Sequence, residues 1–224
     1  REKGVLPAAI VNYLARLGHS YESNDFMSYD QLAKAFRADK LHRAPARFDA
    51  AQLLHWQREA IAAASDEDLW RWMNSVNTLG GFVRDFVPAD KEMMFVQTIR
   101  GNIETREDAF LWAGNLFANS NIYEAEAKEV VRAAGPEFFS QALRCSEGRA
   151  SDFKPFQKTL ASATDKKGKA LFMPLRAALT GETAPALESR WRDGPKMADI
   201  WLLLGITQIQ RRLGLARDLA ESGN

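Results

Sequence analysis

Apolar residues return every three or four positions along most of the chain, and the residues between them suit helix ends. The first apolar face is Ile10, Val11, Leu14 and Leu17, opened by Pro7 and closed by Gly18. Proline and glycine favour those two places at a helix start and stop. In "SYDQLAKAF", Ser28 stands as N-cap with Gln31 three residues later, so each side chain can bond a backbone N–H of the first turn. Asp49 with Gln52 in "FDAAQLLHWQREAI", and Ser65 with Asp68 in "SDEDLWRWMNSVNTL", repeat the device. "DKEMMFVQTIR", "TREDAFLWAGNLF", "IYEAEAKEVVRAAG" and "DFKPFQKTLASAT" each predict one amphipathic helix, and "KKGKALFMPLRAALTG", "PKMADIWLLLG" and "ITQIQRRLGLARDLAE" complete the series. No stretch alternates over enough β-branched residues for a strand. The pattern predicts an all-α protein.

The helices group into three expected units: residues 1–64, residues 65–122 ending in the polar, turn-rich "ANSNIY", and residues 123–224. There is no internal repeat of fixed period and no low-complexity tract. With 224 residues, 46% of them hydrophobic, the chain can bury a substantial core. Thirty Lys and Arg against 29 Asp and Glu leave a net charge of +1. That excludes a basic coat gripping any polyanion, so a nucleic-acid role needs a local patch. The single cysteine, Cys145, fits a reducing, cytoplasmic setting without disulfides. His19, His42 and His55 lie apart from companions at metal-ligand spacing, so no metal is expected. No apolar run reaches membrane-spanning length and no charged-then-apolar leader opens the chain. "REKGVLP" begins without Met and reads as the start of a trimmed or cloned fragment, with parent protein missing in front.

Catalytic signatures are not visible. No Gly-rich phosphate loop, dinucleotide fingerprint or nucleophile elbow occurs. The carboxylates of "SDEDLW" and "YEAEAKE" suit helix N-termini and solvated faces. Trp70 and Trp72 flanking Arg71 fit a helix–helix seam better than a base-stacking platform. The basic runs "KKGK" and "RRLGLAR" each read as a solvated helix face. Arg176, two residues after Pro174 in an otherwise apolar helix, is the one cation whose placement raises a question. It either caps carbonyls or pairs with Glu188, or it presents a planar donor fork to something anionic once the proline has interrupted the regular hydrogen bonding and fixed the following turn.

Three segments together resemble the bacterial glutamyl-tRNA synthetases, class I enzymes, in the part after the catalytic domain. "REKGVLPAAIVNYLARLG" is similar to the segment following the Lys-Met-Ser-Lys-Ser-type loop, and "APARFDAAQLLHWQREAI" to the stretch that closes the stem-contact region. "GKALFMPLRAALTG", followed by "IWLLLG", is similar to the Pro-Leu-Arg-x-Ala-Leu-Thr-Gly element of the anticodon-binding region. They stand in family order and cover essentially the whole chain. Neither the His-x-Gly-His signature nor the Lys-Met-Ser-Lys-Ser loop is present. "GETAPALESRWRDG" looks longer than the family's usual connection, and Ala60 replaces a frequent aromatic.

The resemblance implies a stem-contact helical unit followed by a two-part α-helical anticodon-binding cage. The parent reaction joins glutamate to tRNA, with ATP and Mg held in a catalytic domain that this chain lacks; no cofactor is expected here, nor aminoacylation by this chain alone. It implies a monomer that binds tRNA-Glu, with tRNA-Gln left open, and neither DNA nor membrane. Arg176 is implied to meet an anticodon nucleotide, with Lys158 facing the anticodon loop and Pro195 and Met197 packing on a splayed base. In "TIRGNIET", Asn102 or, one register away, Arg100 falls where the third anticodon position is read. Arg47 is implied as a phosphate contact or strut in the stem-contact unit. Two other readings stay open: a synthetase-derived scaffold binding protein or other RNA, and a DNA-binding module using "TQIQRRLGLAR".

Overall fold

The computed structural model describes residues 4–42, 47–118, 123–147, 152–182 and 194–222. Among these residues the chain is α-helical, with twelve α-helices and no strand beyond two isolated bridge pairs, His19 with Leu41 and Thr78 with Gly81. No helix among them is long and apolar enough to cross a membrane.

Three helices make the first part: α1 (Pro7–Leu17), α2 (Tyr29–Ala35) and α3 (Ala50–Ala63). α1 packs on α3 through a small core of Ala9, Tyr13, Trp56 and Ala60. The expected reciprocal box forms at Ser28, and at Asp49 only the N-cap half of it. Ser28 Oγ accepts from the Gln31 N–H while Gln31 Oε1 accepts from the Ser28 N–H, and Asp49 Oδ1 accepts from Ala51 and Gln52. Such caps satisfy donors that the first helical turn leaves open. With so few apolar residues buried, polar clamps carry much of the local order. Buried Asn12 bonds both the carbonyl and the N–H of Met27, pinning the α1–α2 connection, and Tyr13 Oη accepts from the Asp49 N–H.

α4 (Asp66–Met73), α5 (Glu92–Ile99) and α6 (Arg106–Phe117) follow. Ser65 caps α4 as expected, through the Asp68 N–H at 3.1 Å. The helix stops at Met73 rather than running through "NSVNTL": Asn74 closes it, and Leu79 takes a left-handed φ of 52° in a turn through Gly80. A capping box that pattern reading did not single out, Thr105 with Asp108, opens α6. Trp72 is core, as its spacing suggests, and its indole donates to the Gly4 carbonyl at 2.9 Å. Gln57 accepts from the Leu6 N–H and donates to the Glu104 carbonyl, tying α1 and α3 to the connection before α6.

The remaining helices are α7 (Ala125–Ala134), α8 (Pro136–Ser146), α9 (Phe153–Thr164), α10 (Lys169–Thr180), α11 (Met197–Leu204) and α12 (Ile206–Glu221). α8 has no counterpart in the expected series, although Gly135-Pro136 is a stop followed by a start: the glycine has φ +79° and the proline sits at the first helical position. α12 packs against α7, α8 and α10 and forms the spine of this part. One contiguous core, from Ile61 and Leu69 to Ala216 and Ala220, runs through both halves of the helices after α3.

Arg212 sits within that core, 2% exposed, where "RRLGLAR" had suggested a solvated cation. Its spacing explains the correction, because Ile209, Arg212, Leu213 and Ala216 share one face of α12 and that face is buried. Nη1 donates to the Leu179 carbonyl at 2.8 Å and Nη2 to the Leu116 carbonyl at 2.9 Å. The guanidinium therefore caps the C-terminal ends of α10 and α6 together, where unpaired carbonyls and the helix dipoles favour a cation. Burial lowers its pKa to about 10, which leaves it charged at neutral pH. Losing hydrogen bonds from a charged donor and leaving buried carbonyls unpaired typically costs about 1.5–3 kcal/mol. Arg212→Ala is therefore expected to lower the unfolding free energy by an amount of that order, and the urea midpoint with it, and Arg212→Lys to recover only part, because one ammonium lacks the fork that spans two helix ends. Equilibrium urea unfolding of the three proteins checks this; an unchanged midpoint for Arg212→Ala contradicts it.

Candidate functional site

α10 carries Arg176 and runs unbroken from Lys169 to Thr180 with Pro174 inside it. The proline removes one N–H from the ladder, but its ring lies on the buried side and the helix continues for six more residues. The expectation that Pro174 interrupts the helix and sets the following turn is thus corrected. Gly181, in the left-handed region at φ +79°, is what ends it.

Arg176 is half-buried, one turn before that end. Its Nη2 donates to the Pro195 carbonyl at 3.1 Å, across a sequence gap of 19 residues. Gly194 lies under the same guanidinium, with φ +61°, and a Cβ there would sit 2.5 Å from Nη1. The backbone angle favours glycine, and an added Cβ would push the guanidinium aside. The arginine therefore grips the segment entering α11 rather than the carbonyls of its own helix. Glu188, the other partner considered, lies outside the described residues.

The expected contacts separate into distinct places. Pro195 is brought to Arg176, but it and Met197 are both buried, and Met197 at 7% exposure packs into the main core as the first residue of α11. Pro195 meets the arginine through its carbonyl. Lys158 is exposed on α9, which packs against α11. Asn102 is half-buried in the single helical turn after α5. Arg100, in the same turn, is committed elsewhere: Nη2 donates to the carbonyls of Ile61 (2.9 Å) and Ala64 (2.6 Å), and Nη1 meets Asp66 Oδ1 at 3.0 Å. It caps the end of α3 and joins it to α4 and α5. Arg47 is exposed just ahead of the α3 cap. In "TQIQRRLGLAR", Arg212 is buried and Arg217 pairs with Asp218, so this helix offers little of the cationic face that gripping a DNA duplex requires.

Two polar residues beside Arg176 had no signal in residue type alone. Glu182 Oε1 accepts from Asn115 Nδ2 at 2.7 Å, linking the ends of α6 and α10. Burial, and the nearby Glu124 carboxylate, push the Glu182 pKa up to about 7, against the opposing pull of the Asn115 bond and the Arg176 charge. Gly194 had one signal, the Gly-Pro dipeptide that marks a turn.

No protein-family model matches the chain. A curated glutamate–tRNA ligase of Nitrosococcus oceani is 43% identical over 213 residues, which is 95% of this chain and 42% of that protein. One from Alkalilimnicola ehrlichii is 39% identical over 223 residues, 98% of this chain and 43% of the relative. The chain is homologous to a segment of the glutamate–tRNA ligases. It spans about two-fifths of the length of these curated relatives. The crystal structure of a glutamate tRNA ligase from Elizabethkingia meningosepticum superposes with a TM-score of 0.74 at 21% identity, covering 97% of this chain and 42% of that one. The glutamate-tRNA synthetase from Elizabethkingia anophelis gives 0.70 at 22% identity. The two structures share the fold of this ligase segment.

In this chain, Glu182 generates a pH dependence whose sign is fixed. Its pKa is higher folded (about 7) than in the ordinary carboxylate (4.5), so the folded state holds the proton more tightly. That contribution is complete below about pH 4.5 and is lost as pH rises through 7, with an upper size of about 3 kcal/mol. Glu182→Gln keeps the shape without the charge. It is expected to stabilise the protein at pH 8 and to be nearly neutral at pH 4.5, in paired thermal melts of the two proteins. Equal effects at both pH values contradict the burial of this carboxylate.

Proposed function

We propose that this chain is the tRNA-recognising part of a glutamate–tRNA ligase, whose complete enzyme attaches glutamate to tRNA-Glu using ATP. The observation that carries the reading is Arg176: a half-buried guanidinium, set in the segment that resembles the family's anticodon element and fixed by the Pro195 carbonyl over Gly194. The guanidinium is a planar fork of five N–H groups, and its bond to the Pro195 carbonyl sets its orientation before any ligand arrives. Such a fork suits base edges and phosphates, and unpaired loop bases are what proteins read in RNA by hydrogen bonding and stacking. Asn102 is the residue toward the third anticodon position, since Arg100 already serves α3. Pro195 and Met197 act by shaping the segment Arg176 grips, and Arg47 contacts a stem phosphate.

The segment works in the cytoplasm as a monomer and does not activate glutamate by itself. Support comes from the sequence, in which neither adenylate-forming signature occurs.

The test is a pair of substitutions read two ways. Arg176→Ala is expected to weaken binding of tRNA-Glu by about 1–3 kcal/mol, the range for a good bidentate base contact, and Arg176→Lys to recover little. The melting temperature of Arg176→Ala should fall modestly, because one bond to a backbone carbonyl is lost. A fall in melting temperature with unchanged tRNA affinity of the folded protein makes Arg176 a strut only and sinks the reading. Duplex DNA in the same gel shift should bind no better than bulk competitor.

A further inference from the structure

A second cationic surface lies on α9 and the turn after it. Lys154, Lys158 and Lys167, with Gln157 and Ser162, line an open groove of about 1020 Å³. Lys154 and Lys158 are four residues apart on α9, so they stand on one face about 6 Å apart along the helix axis. Lys167 follows Asp165, whose left-handed φ of 51° ends α9 and turns the chain back toward its last turn.

The three ammonium groups are not spent on the fold. None makes a hydrogen bond or ion pair among the described residues, whereas the neighbouring Lys166 lies over the Phe138 ring at 5.0 Å. Two carboxylates share the groove. Asp152 is engaged as the α9 cap, accepting from the Lys154 N–H, and Asp165 ends the helix. The lining side chains that hydrogen-bond most readily are also turned inward: Thr159 Oγ1 donates to the Pro155 carbonyl and Ser162 Oγ to the Lys158 carbonyl. Among the described residues no aromatic ring lines the groove, so they give a base nothing to stack on. Point cations on flexible stems, spaced along a helix, without a planar fork or a stacking platform, suit phosphate charge rather than base identity.

We propose that this groove holds the phosphodiester backbone of a bound RNA strand, with Lys154, Lys158 and Lys167 each facing a phosphate and none reading sequence. The proposal rests on the chain being a tRNA-binding segment and divides its labour: Arg176 reads, and the α9 groove grips. It gives Lys158 a phosphate, not a base, as its partner.

The experiment measures tRNA-Glu affinity against salt for the unchanged chain, for Lys154→Gln, Lys158→Gln and Lys167→Gln singly, and for the triple variant. Each phosphate contact released from a single strand lowers the slope of log K against log salt by about 0.7, so the triple variant should lose about 2 in slope. Each single variant should lose about a third of that, with melting temperatures unchanged because all three lysines are exposed. The preference for tRNA-Glu over bulk tRNA should persist in the triple variant, which a base-reading role would not allow. An unchanged slope in the triple variant, or a loss confined to Lys158→Gln, overturns the groove while leaving the tRNA reading intact. If the unchanged chain itself shows no affinity for tRNA-Glu, that reading fails and the groove proposal falls with it.

Discussion

One buried cation ties the architecture together. Arg212 reaches from the spine helix α12 into the core and bonds a carbonyl in the last turn of α6 and one in the last turn of α10 at once. A helix end inside a protein leaves carbonyls without partners, and burying them unpaired is costly. Two such ends meeting at one place make a defect that apolar packing cannot repair, and a fork of N–H donors can. Because α6 and α10 are far apart in the chain, this contact also ties distant segments of the one core together.

The candidate site is built outward from that junction. α10 ends at Gly181, and Glu182, the next residue, is bonded to Asn115 on α6. One turn back, Arg176 leans over Gly194 and holds Pro195. The site is thus a set of helix ends locked to one another by polar side chains, and the orientation of Arg176 follows from where α10 has been placed. The bond to the Pro195 carbonyl holds the guanidinium in one orientation, the kind of constraint that preorganised recognition requires.

Sequence pattern carried the fold class and most helices because burial along an α-helix repeats on its own period. Eleven of the twelve helices fall in segments with that period, several of them opened by a recognisable cap; α8 shows only its Gly135-Pro136 start. The same logic misled at "RRLGLAR", where two adjacent arginines look alike in composition. Only their angular position on the helix separates Arg211, exposed, from Arg212, buried. Among site residues, Arg176 and Lys158 were legible from the family-like segment and from their charge. The brace formed by Arg100 was not, since its partners are backbone carbonyls 36 to 39 residues away. Asn115 and Glu182 were equally hidden, being ordinary residue types that acquire meaning through a contact across 67 residues.

The claim on which everything functional rests is that this segment distinguishes the anticodon loop of tRNA-Glu. The most direct measurement compares the affinity of the unchanged chain for tRNA-Glu with its affinity for the same tRNA carrying an unrelated anticodon, at one fixed salt concentration. A specific base contact is worth about 1–3 kcal/mol, so the account predicts roughly tenfold or greater weakening for the swapped tRNA. Equal affinity for the two would show that the segment senses only phosphate charge and shape, and would contradict it.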